Sequence, residues 1–94
     1  MQTYFMFGKY TPESLKGVSG KRTEDALALV KRLGGRVEKA YALLGKTDLV
    51  LIAEFPGTSE ALQASLALSR LTGMGFSTSP AVKVEDFDKL ASGL

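Results

Sequence analysis

The chain contains no cysteine, no histidine, no tryptophan and no asparagine. Without cysteine there is no disulfide framework and no thiolate nucleophile. Without cysteine or histidine there is no thiolate–imidazole zinc site. The missing histidine also removes the imidazole base and with it a Ser-His-Asp triad, and the missing asparagine removes any N-glycosylation acceptor. Neither a metal nor a cofactor is expected. No apolar run approaches the roughly 20 residues of a membrane span. Residues 1–7 are apolar, but Lys9 follows closely, and they lack the basic start and long apolar core of a signal peptide. The expectation is a soluble, cytoplasmic protein with no membrane partner, and the missing thiols fit a reducing compartment.

What is present suffices for one packed domain over residues 1–94. Of the 94 residues, 45% are hydrophobic and 23% charged, with 12 Lys+Arg against 10 Asp+Glu. Residues 2–10 are rich in aromatics and read as a strand. Thr11, Pro12 and Glu13 then form a helix start, with Thr as cap and Pro at the first helical position. Gly17 and Gly20 interrupt that helix, and Thr23 is expected to restart it. Ala26, Leu27, Val30 and Leu33 fall at helical spacing before Gly34 and Gly35 stop the run. Residues 36–44 read as a second strand with Val37, Tyr41 and Leu43 on one face. Gly45, Lys46, Thr47 and Asp48 form a four-residue hairpin connection, and residues 49–55 a third strand. Thr58 is expected to cap a second long helix with an apolar stripe of Ala61, Leu62, Ser65, Leu66, Leu68 and Leu71. Gly73 and Gly75 end it, residues 76–84 form a fourth strand, and residues 85–90 a last helical turn.

Strand, helix, strand, strand, helix, strand with right-handed crossovers predicts an α+β fold of the ferredoxin-like βαββαβ kind. Its four-stranded antiparallel sheet has the order 4-1-3-2, with two helices on one face. The central strands fit, since β-strand residues 49–53 are apolar on both faces. In the first strand Phe5 and Phe7 point one way and Tyr4 and Met6 the other. Pro80 suits an edge strand. Because both faces of the central strands are apolar, the sequence leaves open which one meets the helices. The other face needs a cover, and a second copy packed sheet against sheet is the simplest one. A homodimer, or a higher oligomer built on it, is expected; a monomer with an apolar groove is the alternative.

Three stretches carry a family resemblance. They are residues 8–13 at the strand exit, Leu33 to Glu38 at the helix exit, and Tyr41 with residues 44–50. Together they resemble the GYD-domain family over most of the chain. Thr47 stands where that family typically has tyrosine, whereas Asp48 is retained. The resemblance implies a fold similar to the dimeric α+β barrels. It implies architecture and assembly, not a reaction, because that fold group spans cofactor-free monooxygenases, dismutases and ligand-binding domains.

Six residues are candidates for a ligand site. Lys46 and Asp48 stand in the hairpin, either as a polar mouth or as turn residues. Lys9, Tyr10 and Tyr41 are placed to line a cavity between sheet and helices, or to serve as strand-end and core-edge residues. Glu54 ends an apolar strand and is a general-base candidate or a partner for a neighbouring cation. Ser77, Thr78, Ser79 and Arg70 offer an anion site or a polar edge strand. Gly73-Met74-Gly75-Phe76 faintly resembles an RNA recognition signature but follows the wrong helix, so no nucleic-acid partner is expected. Residues 1–46 hold nine basic and four acidic groups, interrupted so that a solvated helix face accounts for them. The sequence therefore points to a homodimeric module that binds a small, partly apolar or anionic molecule between sheet and helices or at the dimer seam. The alternatives are a cofactor-free, monooxygenase-like enzyme and a purely structural assembly subunit.

Overall fold

A computed structural model describes residues 1–94. The elements follow as β1 (Gln2–Lys9), α1 (Pro12–Lys16), α2 (Gly20–Arg32), β2 (Arg36–Ala42), β3 (Leu49–Phe55), α3 (Thr58–Thr72), β4 (Gly75–Ala81) and α4 (Val84–Ser92). The fold is α+β, with a four-stranded antiparallel sheet and four helices. Neighbours across the sheet run β2-β3-β1-β4, which counted from the opposite edge is 4-1-3-2. Pro80 sits on the β4 edge, opposite Tyr4.

Alternation along β1 sorts the sheet into two faces. Tyr4 and Met6 are fully buried with Leu51, Ala53 and Phe55 of β3, against Val30 of α2 and Ala61, Ala64 and Leu68 of α3. The Tyr4 ring meets the Phe55 ring edge-on at 5.8 Å, and the Tyr4 hydroxyl donates to Gln2 Oε1 at 2.7 Å. This face meets the helices, which settles the choice the sequence leaves open. Phe5 and Phe7 point the other way, 6.2 Å apart, and in register with Ile52 and Val50. No element of the chain covers them as α2 and α3 cover the inner face.

Five expectations are corrected. Helix α2 begins at Gly20, not Thr23, because the Ser19 hydroxyl accepts from the Arg22 N–H at 3.0 Å and caps it. The residue before α3 is Gly57, so Thr58 is the first helical residue and supplies no side-chain cap. The β2–β3 connection is longer than four residues: β2 ends at Ala42 and the Leu43 N–H donates to the Asp48 carbonyl. A bulge between Val37 and Lys39 inserts Glu38 and reverses the alternation of β2. Val37 therefore faces the core while Tyr41 faces outward beside Val50. Last, the final helical turn is a nine-residue helix, none of whose residues is buried.

Glycine matters most at the α2–β2 corner. Gly34 has φ +90°, the left-handed conformation that ends the helix. A Cβ on Gly35 would stand 2.4 Å from the Phe55 ring and 2.7 Å from the Glu54 carbonyl oxygen, so only glycine lets α2 turn this closely against β3.

Candidate functional site

A cavity of about 140 Å³ lies between the inner sheet face and α2. Its floor includes Val37 of β2, Leu49 and Leu51 of β3 and Phe76 of β4, while Ala40 of β2 lines it from an exposed position at the sheet edge. Ala26 of α2 lines the wall, and its small side chain leaves space that a longer one would fill. A Cβ on Gly8 would come within 2.8 Å of Met74 Cε and 3.0 Å of the Phe76 ring, and both of those side chains line the cavity. Val18 and Leu27 line the cavity and are also substantially exposed, so they mark its mouth.

The polar groups of the wall are few: Tyr10, Ser19, Arg22, Thr23 and Thr72. Capping at Ser19 sets the phase of α2 and turns Arg22 and Ala26, one helical turn apart, to the same side. One Arg22 guanidinium nitrogen donates to the Ser14 carbonyl at 2.7 Å and to the Thr72 carbonyl at 3.4 Å. This ties α1 to the end of α3. Arg22 forms no ion pair, and it also borders an open groove over α1 lined by Thr11, Glu13, Ser14 and Thr72. The wall thus offers one uncompensated cation, a phenol and hydroxyls, and no carboxylate.

Four of the six candidate residues come together at one end of the sheet. Asp48 Oδ2 accepts from the Tyr10 N–H at 2.8 Å. Lys9 Nζ donates to the Lys46 carbonyl at 3.2 Å, and the Asp48 N–H donates to the Gly8 carbonyl at 2.9 Å. These bonds stitch the β2–β3 loop to the end of β1 and hold the backbone of Tyr10, which alone of the six lines the cavity.

Tyr41 and Glu54 lie on the opposite face. Tyr41 is 50% exposed, carried there by the β2 bulge. Glu54 Oε1 pairs with Arg36 at 2.7 Å, and Arg36 also reaches Glu38 at 2.8 Å. The hydrogen bond from Arg36 holds the Glu54 carboxyl below its ordinary value, and burial opposes it more weakly. Such a carboxylate is a poor proton acceptor near neutrality. The serines of β4 share a face with Phe5 and Phe7, with Ser79 beside Phe5 and Ser77 beside Phe7, while Thr78 meets Ser65 of α3.

Arg22 escaped the sequence reading because a helix starting at Thr23 excludes it. A helix that begins after the Ser19 cap includes Arg22, and the spacing of residues 22, 26 and 29 then puts them on one stripe.

The family model of the GYD domain matches residues 4–91. No curated protein sequence matches the chain. Among solved structures, the leucine response regulatory protein LrpA of Mycobacterium tuberculosis is similar, with TM-score 0.58, 11% identity, and coverage of 87% of this chain and 51% of that one. A point-mutant protein is similar at TM-score 0.58 and 12% identity, covering 87% and 50%. The chain thus spans about half the length of these structures, and at such identity the likeness is one of fold.

Proposed function

The chain belongs to the GYD-domain family, and from that premise we propose that it is a small homodimeric module binding a ring-sized, mostly apolar molecule with an anionic end. The observation that carries this is the cavity of about 140 Å³ with a mostly apolar wall and one uncompensated arginine. Its volume is close to the roughly 150 Å³ that holds one benzene ring in an engineered apolar cavity. The apolar part of the ligand lies against Leu51, Phe76 and Leu27, and its anionic end meets Arg22 and the Tyr10 hydroxyl. Asp48, Lys9 and Lys46 act through the backbone they hold in place. LrpA, a leucine-response regulator by name, lends the fold a precedent for small-molecule response.

The fold is ferredoxin-like in this reading, and two copies pair into a dimeric α+β barrel through the face of Phe5, Phe7 and Ile52. Tyr41 and Glu54 then belong to the seam between subunits.

Benzoate and toluene are suitable probes in an amide NMR titration. Benzoate is expected to shift the signals of Tyr10, Val18, Ala26 and Leu27 and to bind more tightly than toluene. Ala26→Leu, which fills the cavity from its α2 wall, is expected to abolish both responses while the fold persists. No response to either probe overturns the reading.

A further inference from the structure

Helix α4 leaves the β4 edge after two residues and buries none of its side chains. Val84, Phe87 and Leu90 recur every third residue and are 72%, 60% and 66% exposed. At 100° per residue they and Ala91 fill one side of the helix, while Glu85, Asp86, Asp88 and Lys89 fill the other. A nine-residue helix is too short to persist alone, since isolated helices below about 12–15 residues are marginal in water. Its stripe needs a partner, and the rest of the chain is not one. The radius of gyration is 14.2 Å, against about 12.4 Å for a compact chain of this length.

A second unpartnered element is β2. It is an edge strand whose only partner in the sheet is β3, and six of its seven residues are exposed. Long open edges invite pairing, and a covering helix is one way proteins manage them. The edge carries Lys39, which forms no ion pair, facing the need of α4 for a cation beside its acidic side.

Area supplies the third argument. Four strands of about seven residues, at ~3.3 Å per residue and ~4.8 Å between strands, project roughly 440 Å². A stable interface takes about 800 Å² from each partner. An element packed at the margin of the sheet adds to what this face supplies toward that area.

We propose that α4 is an arm exchanged between two copies of this chain, its Val84–Phe87–Leu90 stripe lying along the β2 edge of the second copy. The inference rests on the sheet-to-sheet dimer above. A two-fold axis parallel to the strands sets the β4 edge of one copy over the β2 edge of the other. That delivers each arm to its site and lets Asp86 and Asp88, which border the stripe on either side, approach the edge that carries Lys39. The two unpartnered elements then satisfy each other twice, as a closed two-fold assembly demands.

Sedimentation of the full chain over a concentration series, beside a Phe87→Asp/Leu90→Asp variant, tests this. The variant is expected to keep the wild-type far-ultraviolet circular dichroism of its body and to dissociate at least about tenfold more readily. Because the chain has no cysteine, mixing a Phe87→Cys variant with a Lys39→Cys variant gives a clean second measurement: a disulfide between the two chains is expected on mild oxidation. A monomeric wild type defeats the dimer reading itself and leaves the stripe to some other molecule. A dimer that the Asp substitutions leave unchanged defeats the arm alone. Weakening without the cross-link shows that the arm seats elsewhere and overturns its assignment to β2.

Discussion

Arg36, Glu54 and Glu38 show how a charged cluster is fixed by strand register. Arg36 stands opposite Glu54 across the β2–β3 ladder, so its guanidinium reaches that carboxylate as a cross-strand pair. Its own value is raised in turn, chiefly by the Glu54 hydrogen bond. For Glu54 the folded value is depressed below the ordinary 4.5. Stability from this group is therefore present above the unfolded value and is lost as pH falls through the lower folded one. Arg36 is largely solvated although Glu54 is only partly exposed, so the effect is small and salt-sensitive. Urea midpoints are expected to place wild type above Glu54→Gln at neutral pH. The gap should narrow from about pH 5 downward and close at the acid end. A gap that is constant with pH would show that the pair adds nothing to the linkage.

At the scale of elements, period-two alternation made β1 and β3 legible, because their apolar residues fall on both faces. It misled at β2, since a bulge leaves no signature when the inserted residue is an ordinary Glu38. Tyr41 was thereby assigned to the cavity and belongs to the other face. At α2 the weak helix former Gly20 obscured a start that Ser19 caps, and Arg22 was lost from the site as a result. The stitch around Asp48 was half legible: the hairpin residues stood out, but a bond reaching the Tyr10 N–H joins positions 38 apart, which no local pattern reveals. In α3 the expected stripe holds at Ala61 and Leu68, which are buried together with Ala64, while its Leu62 and Leu66 are exposed. Apolar residues surround this helix, so periodicity could not choose a face; close approach to the sheet selects the small ones. Ala64→Leu should accordingly cost about 1–3 kcal/mol by overpacking. Leu62→Ala, at an exposed position, should stay within about 0.5 kcal/mol. Comparable shifts of the two urea midpoints would contradict this packing.

For the molecule as a whole, the outer sheet face decides between a monomer and a pair. Ile52 lies between Phe5 and Lys39 in register, near the middle of that face. In a single subunit a lysine there points to solvent and leaves the core of Tyr4, Met6 and Phe55 untouched. Across a two-fold seam the same change introduces two ammonium groups into an apolar contact, with no carboxylate freed to meet them because Glu54 is already held by Arg36. Removing an unpaired charge from water costs several kcal/mol, and about 2.7 kcal/mol already corresponds to a hundredfold in affinity. Ile52→Lys is therefore expected to raise the dimer dissociation constant more than about a hundredfold. Its far-ultraviolet circular dichroism should match the wild type at concentrations where both are monomeric. Sedimentation equilibrium measures the first and dilution-matched spectra the second. An unaltered dimer would place the contact on another surface, and a variant that fails to fold at any concentration would show that this face supports the single chain.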